Sequence, residues 1–337
     1  MTTTLIALGA NLGDRQGNLQ RALELLDRTP GLRVSAHSRW FSTAPIGGPA
    51  GQAEFVNAAA RVESTLSPLE TLAVLHDVEA ELGRQRRQRW AARCVDLDLL
   101  LFGDLVLKTP DLELPHPRMA FRRFVLEPAA EVAADLIHPV IGWTIGQLLS
   151  HLNSAPNYLA VTGVPGVGKT ELARNVAAVT AIRFVADSDA GLPAPETAPV
   201  QPLAAERARW RRRAELLARQ NWTAETPVIV SDFWLDQSLA YSQLWPDERQ
   251  RAEFAAECRM DVIPGHGPRT TDGASRPVQP KLLVLLEAPQ ISERWKSIRA
   301  ELRRLVFQRG NGPMLELDAS RPDAALVELR AAVEAMW

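Results

Sequence analysis

The run Gly163-Val164-Pro165-Gly166-Val167-Gly168-Lys169-Thr170 constrains the fold of this chain more than any other short segment. The apolar residues Tyr158 to Thr162 precede it, and a helical stretch, Glu171 to Val179, follows it. A glycine-rich turn between a strand and a helix aims backbone amides and a helix N-terminus at one point, which makes a cradle for phosphate oxygens. In that setting Gly163, Gly166 and Gly168 let the backbone close around the anion. Lys169 reaches the outer phosphates of a nucleotide, and Thr170 ligates magnesium. Further short apolar runs, Ile182 to Ala186, Val228 to Ser231 and Lys281 to Leu286, alternate with longer helical ones. The pattern predicts an α/β/α P-loop domain with a mostly parallel sheet over residues 158–337.

That domain uses about half of the 337 residues, so a second core is expected before it. Thr4 to Leu8, Val34 to Ser42, Phe55 to Glu63 and Asp96 to Phe102 read as strands, and Asn18 to Arg28 and Leu69 to Gly83 as helices. Ser67-Pro68 introduces the second helix and Gly83 stops it. Together they describe a small α+β sandwich over residues 1–152, with Asn153 to Asn157 as a linker. A net charge of -2 gives no global attraction to nucleic acid or anionic membrane, so anionic ligands must be held by local basic clusters. Two cysteines, the lack of a leader-like N-terminus and the lack of a long apolar run point to a cytoplasmic protein without membrane or nucleic-acid partners. Oligomeric state is not legible.

Within the first domain the sharpest feature is Arg93-Cys94-Val95-Asp96-Leu97-Asp98-Leu99. On a strand Asp96 and Asp98 share one face while Val95, Leu97 and Leu99 face the core. Two adjacent carboxylates repel, and a hard cation relieves them, magnesium bridging to nucleotide phosphates being the common case. An amphipathic strand with solvated acids is the alternative. Just upstream, Arg84, Arg86, Arg87, Arg89 and Arg93 put five arginines within ten residues, able to fork phosphate oxygens. Downstream lie Pro115-His116-Pro117-Arg118-Met119 and Arg122-Arg123-Phe124. A cation clamp beside a carboxylate pair suits phosphoryl or pyrophosphoryl transfer.

On these residues, together with Ala7-Leu8-Gly9-Ala10-Asn11-Leu12-Gly13-Asp14 and Phe55-Val56-Asn57-Ala58-Ala59, the first domain resembles the 6-hydroxymethyl-7,8-dihydropterin pyrophosphokinases. The resemblance implies a ferredoxin-like α+β fold and an ATP-dependent step of folate synthesis that releases AMP. It also implies two magnesium ions on Asp96 and Asp98. Glu79, Arg84, Trp90, Arg93, His116 and Arg122 fall where that family contacts ATP or its phosphates. Phe55 and Phe124 fall where it stacks the pterin, and Asn57 where an amide reads the pterin edge.

The second domain is similar to the deoxynucleoside kinases through its phosphate loop, the strand end Ser231-Asp232 and the run Leu283 to Pro289. It departs from them in reading Asp232-Phe233-Trp234 where the family has Asp-Arg-Ser. Asp232 is a candidate for the magnesium shell or substrate contact, a strand-end turn residue being the alternative. Asp187 is a candidate base for a nucleoside hydroxyl. The lid contracts into Ser292 to Arg304, with Arg294, Arg299, Arg303 and Arg304 available. On the basic stretch Glu206 to Gln220, Trp210 and Leu217 are expected to face the core and the charges to be solvated. This half is expected to act as a nucleoside kinase, the alternatives being a non-catalytic nucleotide-binding or regulatory module, or phosphorylation of another small molecule.

Overall fold

The computed structural model describes residues 1–47, 51–84, 92–187, 203–217, 227–260, 277–308 and 312–337. The chain divides into two units, Met1–Asn153 with Ala331–Trp337, and Ser154–Arg330.

The first unit is organised around β1 (Thr2–Ala10), which lies inside an antiparallel sheet. Next comes α1 (Arg15–Arg28), capped by the Asp14 carboxylate, which accepts the Gly17 N–H at 3.0 Å. β2 (Leu32–His37) and β3 (Phe41–Thr43) both pair with β4 (Phe55–Ser64). The single strand expected over Val34 to Ser42 is therefore two. A register shift between Val34 and Ala36 and a break over residues 38–40 interrupt it.

α2 (Pro68–Glu81) opens on a capping box. Ser67 Oγ accepts the Glu70 N–H at 3.3 Å, and the Glu70 carboxylate accepts the Ser67 N–H at 2.8 Å. Gly83, at φ 84°, takes the chain out of the helix in a conformation that disfavours other residues. β5 (Asp96–Phe102) then pairs with β1, giving the order β2-β4-β1-β5 with β3 also on β4.

The short hairpin β6 (Leu107–Lys108) and β7 (Glu113–Leu114) and the helices α3 (Arg123–Ala133) and α4 (Ile145–Ser154) complete this part of the chain. Buried Leu148 and Leu152 anchor α4, so Asn153 and Ser154 remain helical and the expected linker is shorter than its polar composition suggests. The core joins Ile6 and Leu8 of β1 to Leu97 and Leu99 of β5, under Leu19 and Leu26 of α1 and Leu75 of α2. Each such side chain contributes roughly 1.5–3 kcal/mol of burial. Because Leu97 and Leu99 are drawn into that core, Asp96 and Asp98 are held together on the opposite face.

The second unit starts with β8 (Tyr158–Thr162), buried along its whole length, and continues through α5 (Lys169–Thr180), β9 (Arg183–Val185), α6 (Leu203–Leu216) and β10 (Ile229–Ser231). α7 (Gln237–Ser242), α8 (Glu248–Met260), β11 (Leu282–Glu287), α9 (Glu293–Gln308), β12 (Met314–Asp318) and α10 (Pro322–Met336) follow, the end of α10 belonging to the first unit. The sheet is parallel, in the order β12-β11-β8-β10-β9, and helices connect its strands as in other α/β domains. β12 has no counterpart among the apolar runs of the sequence. It alternates Leu315 and Leu317 with Glu316 and Asp318 over a short edge strand.

The largest departure lies in α6. Trp210 and Leu217 are buried as expected, but Glu206, Arg209 and Arg213 are buried too, at 1%, 2% and 1% exposed. Opposite charges buried in contact neutralise one another, which makes their removal from water tolerable. Arg209 pairs with Glu206 at 2.5 Å, and Arg213 pairs with Asp187. Among the described residues no helix is long and apolar enough to cross a membrane.

Candidate active site

Three elements of the first unit converge on the start of β5. In the sheet register Gly9 of β1 lies opposite Asn57 of β4 on one side and Asp96 of β5 on the other. A Cβ at Gly9 would come within 3.1 Å of Asn57 Oδ1, so the glycine keeps the floor between them low. From α2, Glu79 reaches β5 with 2% exposure. Its carboxylate accepts the Leu97 N–H at 2.8 Å and pairs with Arg84.

Arg84 also reaches Asp96 Oδ1 at 2.6 Å, while Arg93 reaches Asp96 Oδ2 at 2.5 Å. Asn11 fixes the backbone of Arg93, accepting its N–H on Oδ1 at 2.8 Å and donating its own N–H to the Arg93 carbonyl at 3.0 Å. The sequence places Asn11 in a motif but assigns it no task.

Burial, and then the neighbouring charge of Asp98, raise the pKa of Asp96 above the ordinary carboxylate value, against the opposing pull of Arg93 and Arg84. Asp98 has no ion-pair partner among the described residues. Asp96 and Asp98 repel one another across one strand face, and a bound cation beside them would relieve that repulsion.

A cavity of about 310 Å³ runs from this face to an apolar end formed by Phe55, Asn57, Phe124, Ala44 and Ile46. Asn57 Nδ2 donates to Thr43 Oγ1 at 2.7 Å, and the Arg122 guanidinium lies over the Phe124 ring at 5.5 Å. His116 and Arg122 also line the cavity. Arg86, Arg87, Arg89 and Trp90 lie outside the described residues.

His116 Nδ1 accepts the Arg118 N–H at 3.2 Å, which places the ring proton on Nε2. Burial, followed by the charges of Arg122 and Arg118, lowers its pKa to about 3. A histidine whose folded pKa lies below its ordinary 6.5 binds fewer protons in the folded than in the unfolded state over that interval. Its contribution to stability is then fully present above pH 6.5 and is lost as pH falls toward 3. A histidine NMR titration is expected to show His116 neutral at pH 5; a midpoint near 6.5 would contradict this environment.

In the second unit Gly168, at φ 86°, precedes α5, and Gly166 sits at φ 80°. A Cβ at Gly163 would fall 2.4 Å from the Leu286 carbonyl oxygen. Gly163→Ala should therefore distort the loop and weaken the nucleotide binding expected of it from the sequence at least about tenfold, measurable by calorimetric titration of a variant already lacking Asp96.

Lys169 Nζ donates to the Val164 carbonyl at 2.9 Å. Asp232 at the end of β10 accepts the Thr170 hydroxyl and the Asp187 N–H, each at 2.6 Å. Arg213 forks onto both oxygens of Asp187 and donates to Ser238 Oγ at 2.7 Å. Burial opposes the charge on Arg213, yet Asp187 and Glu206 outweigh it and raise its pKa.

The sequence did carry a signal for Arg213. Glu206, Trp210, Arg213 and Leu217 follow helical spacing on one face, and two of them are plainly core residues. In the expected lid, Arg303 pairs with Glu287 at 2.7 Å and Glu316 at 2.9 Å, and Arg304 with Glu301. The side chain of Arg294 lies outside the described residues.

Residues 5–134 match the family 7,8-dihydro-6-hydroxymethylpterin-pyrophosphokinase (HPPK). The 2-amino-4-hydroxy-6-hydroxymethyldihydropteridine pyrophosphokinase of Pseudomonas aeruginosa is 40% identical over 161 residues, which are 48% of this chain and 96% of that protein. The Bacillus subtilis enzyme of the same name is 43% identical over 131 residues, 39% of this chain and 78% of the relative. Among solved structures, deoxyadenosine kinase from M. mycoides with bound dCTP aligns over 51% of this chain and 95% of that one, at 13% identity and a TM-score of 0.36. Plasmodium falciparum HPPK-DHPS with pteroate aligns over 99% and 86%, at 10% identity and a TM-score of 0.36. Likeness at those scores supports no functional conclusion, whereas the sequence relatives are matched over most of their own length. The chain belongs to the 7,8-dihydro-6-hydroxymethylpterin-pyrophosphokinase family of transferases.

Proposed function

We propose that Asp96, Asp98, Arg84 and Arg93 carry out pyrophosphoryl transfer from ATP to 6-hydroxymethyl-7,8-dihydropterin, a step of folate synthesis. The carrying observation is the carboxylate pair and its arginines at one end of a cavity whose other end is aromatic. The hydroxymethyl oxygen attacks the β-phosphorus and gives up its proton to solvent, the bond from the β-phosphorus to the α,β-bridging oxygen breaks, and AMP leaves with that oxygen.

Asp96 and Asp98 fit magnesium. They share a strand face, burden one another electrostatically, and leave the remaining ligands to water and phosphate oxygens. No cage of three or more His, Cys, Asp or Glu side chains competes with that role among the described residues. When bound, magnesium neutralises phosphate charge and orients the transferred group.

The protein's own groups supply the rest. Arg84 and Arg93 offer planar forks to phosphate oxygens, and Glu79 positions Arg84 relative to the backbone of β5. Neutral His116 donates from Nε2, and Arg122 adds positive charge near the phosphates. Phe55 and Phe124 stack the flat heteroaromatic ring, and Asn57 reads its edge by hydrogen bonding. The full chain incubated with Mg-ATP and the pterin alcohol should release AMP in step with pterin consumption. Release of ADP in its place would exclude pyrophosphoryl transfer.

A second reading concerns residues 154–330, which bind another nucleotide and phosphorylate a nucleoside. Its support is the bond from Thr170 to Asp232, which ties the phosphate loop to a strand-end carboxylate, with Asp187 alongside. A cavity of about 610 Å³ adjoins the loop, bordered by Val167, Pro289, Ile291, Trp295 and Ser320. In this reading Lys169 and Thr170 hold the triphosphate, and Asp187 takes the hydroxyl proton. The occupation of both Asp187 oxygens by Arg213 favours the rival, a nucleotide-binding module without turnover. ADP release with a panel of deoxynucleosides identifies a kinase. ATP binding without ADP release identifies the module.

A further inference from the structure

The last residues of the chain, Ala331–Trp337, group with the first unit, and nothing in the proposed reaction uses them. They also lie outside the family match, which ends at residue 134. Ala331 and Ala335 are four residues apart and therefore on one face of α10. Both line the same cavity as Phe55, Asn57 and Phe124. They are 8% and 3% exposed.

Two polar bonds hold this segment at the aromatic end. The Glu334 carboxylate accepts the Gly47 N–H at 3.1 Å, one residue beyond the cavity-lining Ile46. Arg123 Nε donates to the Met336 carbonyl at 3.2 Å, immediately before Phe124 in the chain, and Met336 itself is fully buried. The tethers therefore attach to the bend at Gly47 and to the start of α3, each beside a residue that lines the aromatic end. What this segment presents to the cavity is a pair of methyl groups, and a longer side chain in their place would occupy part of its roughly 310 Å³.

We propose that residues 331–337 form a wall of the pterin subsite, and that Ala331 and Ala335 set the width of the slot for a flat bicyclic heteroaromatic substrate. The proposal rests on the placement of the pterin between Phe55 and Phe124. The test uses the full chain, with KM for pterin and for ATP measured separately and folding checked by thermal unfolding. Filling the slot with Ala335→Phe should raise the pterin KM about tenfold or more and leave the ATP KM within about twofold. Glu334→Ala, which cuts one tether without adding volume, should raise the pterin KM roughly threefold.

Phe124→Ala serves as the reference. If it raises the pterin KM while folded Ala335→Phe does not, the wall is overturned and the pterin placement stands. If neither variant moves the pterin KM, the placement fails and the wall with it. An equal rise in both KM values for Ala335→Phe also overturns the proposal, since a general disturbance has no preference for the pterin. Should Ala335→Phe fail to fold, an unchanged pterin KM in Glu334→Ala overturns it.

Discussion

Asp96→Ala is expected to lower AMP release from Mg-ATP and hydroxymethyl dihydropterin by at least about 10³-fold, with any ADP release by the second unit unchanged. Removing a single preorganised electrostatic group from a transfer site typically costs about 10²–10³ in rate. Asp96 does more than one thing. It supplies half of the carboxylate pair proposed for magnesium and is the shared partner that sets Arg84 and Arg93 on either side of one carboxyl group. Both arginines lose their anchor with it, although Glu79 still holds Arg84. The fold should survive. Burial and Asp98 already make the ionised form of Asp96 unfavourable in the folded state, so its loss removes a strained charge along with two ion pairs. Chromatography of the nucleotide products checks the result, and loss of AMP and ADP release together would contradict two independent sites.

Arg213→Ala should destabilise the second unit by about 3–5 kcal/mol, the cost of stranding buried charge. Arg213 is 1% exposed and answers both oxygens of Asp187, with Glu206 also within reach at 3.7 Å. Without it Asp187 loses its fork, and Glu206 is left with its pairing to Arg209. In a unit of this size the loss corresponds to a fall in melting temperature on the order of 10 °C by calorimetry. Arg213→Lys should recover only part of it, because an ammonium supplies charge without the planar fork. A loss below about 1 kcal/mol would mean that the charges of α6 are solvated after all, as the sequence pattern suggests.

The comparison of β5 with α6 shows why parts of this protein are legible in its sequence and parts are not. In β5 the alternation of Asp96, Leu97, Asp98 and Leu99 maps directly onto a sheet with one buried face, so the shared side of the carboxylates follows from the period alone. The glycine-rich turn after β8 is legible for a similar reason. Its glycines meet a local backbone requirement, seen at Gly163, where the Leu286 carbonyl leaves no room for a Cβ.

α6 misleads because hydrophobicity treats Glu206, Arg209 and Arg213 as residues for water, whereas Glu206 and Arg209 neutralise one another and Arg213 is met by Asp187, 26 residues away in the chain. The helical spacing shared with Trp210 and Leu217 marks Arg213 as inward-facing but does not name its partner, and the bond from Leu97 N–H to Glu79 and the tether of Glu334 to Gly47 are likewise pairings whose partners no period reveals. β12 is missed because a short strand with alternate acids looks like loop. The aromatic end of the cavity became readable only through the family resemblance, since Phe55 and Asn57 sit on β4 while Phe124 sits far along the chain on α3.

The central claim is that a pyrophosphoryl group, and not a single phosphoryl group, crosses the cavity of the first unit. The most direct measurement supplies the full chain with magnesium, hydroxymethyl dihydropterin and ATP carrying radioactive phosphorus at the β position. The label is expected to move onto the pterin, leaving the released AMP unlabelled. Label retained in ADP, with a pterin carrying only the γ-phosphoryl group, would contradict it.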